Sequence, residues 1–194
     1  MTTVYAIGHS TRSFEKLVEM LHAHDITLLA DIRTIPRSRR NPQFNGEALE
    51  QKLPKAEIAY RHLKELGGLR RPSKNSINTG WENDSFRGYA DYMQTEEFDR
   101  ALSSLIALAE TERVAIMCAE GNPFRCHRLL VADALTVRGV RVLHISSRKS
   151  SKEHRLTLFS RVNGTQITYS KEGGGALVAW HNGVLVRRVV RAFY

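Results

Sequence analysis

"VAIMCAEGNPFRCHRLLVADAL", residues 114–135, decides the fold class. Val114 to Met117 form a continuous apolar run, the signature of a strand buried on both faces. A polar loop follows, and from Pro123 the spacing becomes helical, with the proline in the first turn and Gly139 at the stop. A buried strand that passes through a short loop into a helix is one repeat of an alternating α/β fold.

Working outward, the same alternation recurs. "TTVYAIGHS" (2–10), "ITLLADIR" (26–33), "EIAYRHL" (57–63) and "VRVLHIS" (140–146) are strand-like, and nearly all are continuous apolar runs. "TRSFEKLVEMLHAHD" (11–25) places Phe14, Leu17, Val18 and Leu21 at helical spacing behind Ser13 as a cap. "EALEQKLPKA" (47–56) is a short helix broken by Pro54. Residues 86–112 are helical, with a fresh cap at Thr95. The expected class is α/β, a Rossmann-like, mostly parallel sheet with helices on both faces over residues 1–150. Residues 151–194 are expected to be a C-terminal extension of β-hairpins that is no independent domain. Asn163-Gly164 and Asn182-Gly183 are the hairpin turns. Residues 34–46 and 64–84 are expected to be exposed loops.

Composition is that of a globular protein, 42% hydrophobic and 25% charged. No apolar run is long enough to span a membrane, so no membrane partner is expected. The N-terminus lacks the basic start and apolar stretch of a secretory signal. Two cysteines make no disulfide framework, and the expectation is a cytoplasmic protein with reduced thiols.

The net charge is +9 and unevenly placed. Residues 32–74 carry eleven Lys/Arg against four Glu, and residues 140–194 carry ten against two. Arginine supplies 21 of the 29 cations, and its planar fork suits bidentate contacts with phosphate. A phosphate-bearing ligand or nucleic acid is the expected partner.

In a parallel sheet, ligands bind beyond the carboxyl ends of the strands. Those ends hold His9-Ser10, then Asp31 and Arg33 with Arg37, Ser38, Arg39 and Arg40, then Tyr60 and His62, then Cys118 and Glu120. Asn122, Arg125, Cys126, His127 and Arg128 follow on the loop and the expected first helical turn. The catalytic candidates are Cys118, Glu120, Asp31, His9 and His127. The substrate-binding candidates are Arg33, Arg37, Ser38, Arg39, His62, Arg87, Tyr89, Arg125 and Arg128. Cys118 beside a helix N-terminus suits a nucleophile, because backbone N–H groups and the dipole favour a thiolate. A buried structural thiol is the competing reading. A zinc site of Cys118, Cys126 and His127 is a third, although the spacing matches no common ligand pattern. Tyr89 and Tyr92 flank Asp91 at helical spacing, as core residues or as stacking platforms for a base beside Arg87. No cofactor is specified by any motif.

"IGHSTRSFEKLVEMLHAHDITLLADIRTIPRSRRNPQFN", "YRHLKELGGLRR", "FRGYADYM" and "MCAEGNPFRCHR" together resemble the bacterial and archaeal family known as domain of unknown function 488. The resemblance covers about residues 4–170. It falls on Gly8-His9-Ser10, on Asp31 and Arg33, and on Cys118, Glu120, Cys126, His127 and Arg128. It implies a Rossmann-like α/β sandwich and no established reaction. The chain after about Lys171 departs from the family pattern. Three expectations follow: an enzyme acting on a nucleotide, nucleic acid or other phosphorylated substrate at the sheet rim; a non-catalytic nucleotide- or nucleic-acid-binding module; or a metal-binding protein.

Overall fold

A computed structural model describes residues 1–171 and the backbone of residues 176–181 and 184–189. The apolar runs form β1 (Thr3–Gly8), β2 (Leu28–Asp31), β3 (Ala59–His62), β4 (Val114–Cys118) and β5 (Arg141–Ser147). With β6 (Ser150–Glu153) they make a six-stranded sheet of order β3-β2-β4-β1-β5-β6. All neighbours are parallel except β5 and β6. The sheet is therefore the mostly parallel one expected, with one unanticipated antiparallel edge strand. Its sequence, Ser-Ser-Lys-Glu, is polar because an edge strand need bury little.

Helices cover both faces. On one side α1 (Phe14–His22) packs Leu17, Met20 and Leu21 against Tyr5, Ile7 and Met117, and α2 (Gly46–Lys52) adds Leu49. On the other, α3 (Asp84–Tyr92), α4 (Glu96–Thr111) and α5 (Arg128–Thr136) cover Val4, Ala6, Ile116 and Cys118. The period-2 alternation of β1 and β4 assigns each residue to its face. Ser13 and Thr95 act as caps, accepting the N–H of Lys16 and of Phe98.

α5 departs from the expectation. Pro123 does not open it. Pro123–Arg125 is a separate 3-10 turn, held by the Asn122 side chain, which accepts the Phe124 N–H at 2.9 Å. The turn closes at Cys126, whose backbone is extended (φ −137°, ψ 141°), and α5 begins only at Arg128. Cys126 and His127 thus precede the helix rather than lie on its first turn.

The loop over 64–84 is mostly exposed, as expected, and is tied down by Asp91. The Asp91 carboxylate accepts the Ser73 N–H (2.8 Å), the Ser76 hydroxyl (2.6 Å) and the Asn78 amide (2.7 Å). Asn78 is wholly buried and its Oδ1 accepts the Tyr169 N–H. Asp91 holds the loop by satisfying backbone and side-chain donors that would otherwise need water.

Beyond the sheet, β7 (Ser160–Asn163) and β8 (Gln166–Tyr169) form the expected antiparallel hairpin, its two-residue loop being Gly164-Thr165 rather than Asn163-Gly164, with Gly164 at φ 60°. The hairpin inserts Ile167 and Tyr169 into the core against α5. There the buried Asp133 accepts the Tyr169 hydroxyl (2.8 Å), the Thr157 N–H (3.0 Å) and hydroxyl (2.7 Å), and His154 Nε2 (2.9 Å). β9 (Ala176–His181) and β10 (Val184–Val189) pair antiparallel, while the proposed turn residues Asn182 and Gly183 lie outside the described residues. No helix among the described residues is long and apolar enough to cross a membrane.

Candidate functional site

The strand order builds the site. β4 lies between β1 and β2, so Cys118 pairs with Gly8 while Met117 pairs with Asp31. Backbone hydrogen bonds continue past the strand ends, from His9 N–H to Cys118 O (3.0 Å) and from Ser10 N–H to Ala119 O (2.9 Å). Beyond these ends opens a cleft of about 520 Å³. Its floor is Cys118, Ala119, Cys126 and His127, and its walls include His9, Arg33, Arg37, Ser38, Glu120 and Arg125.

Cys118 and Cys126 meet at this floor. Their sulfurs are in direct contact. Both are nearly buried, at 2% and 4% exposure. Arg128 serves both. Its Nη1 donates to Cys118 Sγ (3.4 Å) and its backbone N–H, the first of α5, donates to Cys126 Sγ (3.4 Å). Its Nη2 donates to the Glu120 carbonyl (3.2 Å), and its Nε is buried without a partner. No carboxylate pairs with this guanidinium among the described residues. Burial first, and then the nearby Arg12, pull its pKa down to about 10, so it remains a cation at neutral pH.

Two glycines make room for this arrangement. A Cβ on Gly8 would sit 1.8 Å from the Glu120 carbonyl oxygen and 2.9 Å from Arg128 Nη1. A Cβ on Gly68 would sit 2.4 Å from His127 Nδ1. Only residues without side chains let the loops close over the sulfurs and the imidazole.

His127 Nε2 bonds the Ile32 carbonyl (2.9 Å), which makes it the protonated nitrogen and leaves Nδ1 as the acceptor, 3.7 Å from Cys126 Sγ. Burial lowers its pKa to about 4, so the ring is neutral. His9 is also buried, stacked on Phe44 with ring centroids 4.3 Å apart. Its Nδ1 bonds the Ser10 carbonyl (2.8 Å), and its Nε2 lies 3.4 Å from Arg33 Nη1. Burial lowers its pKa, so His9 too is held neutral.

Asp31 and Arg33 are occupied with each other. Asp31 Oδ1 accepts the Arg33 Nε–H (2.8 Å) and N–H (3.1 Å), and its Oδ2 accepts Arg33 Nη2 (2.5 Å) and the Tyr60 hydroxyl (2.9 Å). Arg33 Nη2 also donates to the Phe44 carbonyl (2.8 Å). Asp31 is wholly buried, and each of its oxygens already accepts two hydrogen bonds. The carboxylate and burial together raise the Tyr60 pKa.

The remaining candidates separate. Arg37, Ser38 and Arg125 line the cleft; Arg37 also pairs with Glu47 at 3.3 Å on the exposed surface. Arg39 is exposed and outside the cleft lining. His62 bonds the Arg33 carbonyl (2.7 Å) and lines a neighbouring cleft with Arg37 and Glu47. Arg87 pairs with Asp84 on its own helix. Tyr89 is wholly buried with its hydroxyl on the Leu66 carbonyl (2.9 Å), so it is core and not a stacking surface. Tyr92 is stacked instead by the guanidinium of Arg70, 3.5 Å from the ring centre. The unforeseen apolar side chains of the cleft include Ile35, Leu69 and Phe86, of which Ile35 (60%) and Leu69 (73%) are exposed. The Gly67-Gly68 doublet was the available signal, since paired glycines mark a close backbone approach.

Among the described residues, no group of three or more His, Cys, Asp or Glu side chains is arranged to hold a metal ion. Cys118 and Cys126 face each other, and His127 commits Nε2 to a backbone carbonyl.

The family model described as Domain of unknown function DUF488 matches residues 13–135. The chain belongs to the DUF488 family. The DUF488 match takes in Asp31, Arg33, both cysteines and Arg128, and begins after Gly8-His9-Ser10. No curated protein and no solved structure matches the chain.

Proposed function

We propose that this DUF488 chain is an enzyme acting on a nucleotide, nucleic acid or other phosphorylated substrate in the rim cleft, with Cys118 of the reduced chain as nucleophile. The single observation that carries this reading is Arg128, a buried guanidinium on the Cys118 sulfur with no carboxylate hydrogen-bonded to it among the described residues, the Glu120 carboxylate acting on it only through space. A buried cation requires a counter-charge, and a thiolate at Cys118 supplies one. Arg37 and Arg125 at the cleft wall provide the cations for phosphate, and Ser38 a hydroxyl. Asp31, Arg33 and His9 act as the frame that fixes the rim, while Glu120 lines the cleft as a candidate acid or base.

The test is turnover of a panel of nucleotides, oligonucleotides and sugar phosphates by the reduced chain, Cys118→Ser and Arg125→Ala. The expected result is activity abolished by Cys118→Ser and a raised KM in Arg125→Ala. Turnover unaffected by Cys118→Ser overturns the role of the thiol. A second reading, a non-catalytic module for nucleic acid, is favoured by exposed Arg39, Arg40 and Arg125 and the 73% exposed Phe124 beside Arg125. It predicts binding that weakens steeply with salt, no turnover, and no effect of Cys118→Ser.

A further inference from the structure

We propose that the same cleft reduces small hydroperoxides, with Cys118 as the attacking thiolate and Cys126 as the resolving thiol. The inference rests on the reading of Cys118 as a nucleophile and adds a second chemistry to it. Three observations carry it. The two sulfurs already meet, across eight positions of sequence that hold only a loop and the 3-10 turn Pro123–Arg125. Arg128 donates to each, through its guanidinium to Cys118 and through its backbone N–H to Cys126. Both sulfurs are at 2–4% exposure on the floor of a cleft. That burial selects the oxidant: a hydroperoxide of a few atoms reaches such a sulfur, whereas a protein disulfide cannot bring its own sulfurs into line.

The steps balance. The Cys118 thiolate attacks the terminal oxygen of the hydroperoxide, forming an S–O bond as the O–O bond breaks. The departing alkoxide or hydroxide takes a proton and leaves as alcohol or water. The Cys126 sulfur then attacks the Cys118 sulfenic acid, forming the S–S bond and expelling hydroxide, which leaves as water with the proton from Cys126. The two thiols have lost two electrons and the peroxide has gained them. Two molecules of a low-molecular-weight thiol return the pair to the reduced state: the first opens the S–S bond as a mixed disulfide, and the second displaces the protein thiol and leaves with the first as their own disulfide. The guanidinium of Arg128 steadies the charge on Cys118 before attack. The connecting loop gives Cys126 freedom to approach and withdraw, because Glu120, Gly121, Asn122, Phe124 and Arg125 are all exposed. While the disulfide stands, Cys118 has no nucleophilic sulfur, so the redox state also gates the phosphorylated-substrate chemistry.

The experiment uses the reduced, full-length chain and hydrogen peroxide. Free thiols are alkylated after exposure, and peptides are read by mass spectrometry, with circular dichroism as the folding control for each variant. The expected result is one peroxide consumed per chain, an intramolecular Cys118–Cys126 link, and reversal by added thiol. In Cys126→Ser or Cys126→Ala the reaction stops at a Cys118 sulfenic acid, trapped by a cyclic dione. Arg128→Gln, which removes the charge, slows peroxide consumption at neutral pH about ten-fold or more. Thiols that survive peroxide, or links only between chains, overturn the proposal. A Cys118 that alkylates rapidly at low pH yet forms no link with Cys126 overturns the couple and leaves the nucleophile reading standing. A Cys118 inert to both reagents overturns both.

Discussion

Arg128 directs Nη1 at the sulfur of Cys118 from 3.4 Å, inside the protein and with no carboxylate hydrogen-bonded to it among the described residues. Arginine is almost never buried without a counter-charge. The pairing therefore makes a chemical prediction about the reduced chain. Iodoacetamide should label Cys118 at pH values where an ordinary thiol of pKa about 8.5 has become unreactive. Arg128→Gln should cut the labelling rate at pH 6.5 about ten-fold or more, because an opposite charge at this distance shifts a titration by one to three units. A pH–rate profile of labelling for both proteins checks this.

Asp31→Asn should leave Arg33 buried against an uncompensated amide. Breaking one side of a buried pair costs about 3–5 kcal/mol, and here the carboxylate also holds Tyr60. Urea denaturation should show this loss, together with weaker protection of the rim loops in hydrogen exchange. If Asp31 instead transfers protons during the reaction, Asp31→Asn would abolish turnover while stability stayed unchanged.

Gly8→Ala should disrupt the site more than its size suggests. The added methyl would overlap the Glu120 carbonyl and crowd Arg128, and neither can retreat without moving the Cys118 loop. The expected cost is about 1–3 kcal/mol, with a loss of rapid Cys118 labelling. Thermal melting and the labelling assay test both effects.

Acid should weaken the fold through two histidines. Burial holds His127 and His144 neutral, each with a pKa of about 4. In the unfolded chain each returns to about 6.5. Between these values the unfolded chain binds the extra protons. The stabilisation is thus complete above about pH 6.5 and is lost as pH falls toward 4, by about 1.4 kcal/mol per pH unit for each histidine. Urea midpoints at pH 7 and pH 5 should separate accordingly, and His127→Gln should reduce the difference.

Asp133→Ala should loosen the C-terminal hairpin. One carboxylate accepts hydrogen bonds from Tyr169, Thr157 and His154, and its removal leaves these donors buried and unpaired. Each orphaned donor costs about 1–3 kcal/mol. Hydrogen exchange over residues 154–169 should rise first, before the sheet opens.

The sequence by itself determined the layers and the rim. Apolar runs such as Val114–Met117 must be buried on both faces, so a parallel sheet between helices follows from local pattern alone. The same pattern puts His9, Asp31, Cys118 and Arg128 at one end of that sheet. Tertiary structure alone decided what those residues do, because their partners are distant in the chain. Asp31 is consumed by Arg33 and Tyr60, Tyr89 is buried against Leu66, and His127 is pinned by Ile32. The start of α5 was illegible for a related reason. Pro123 signals a helix, yet Asn122 closes a separate turn, and Cys126 stays extended with its sulfur on the Arg128 N–H. Residue type and spacing set which chemistry is available at the rim, and the competition for hydrogen-bond and charge partners in the folded chain leaves Arg128 to the sulfurs.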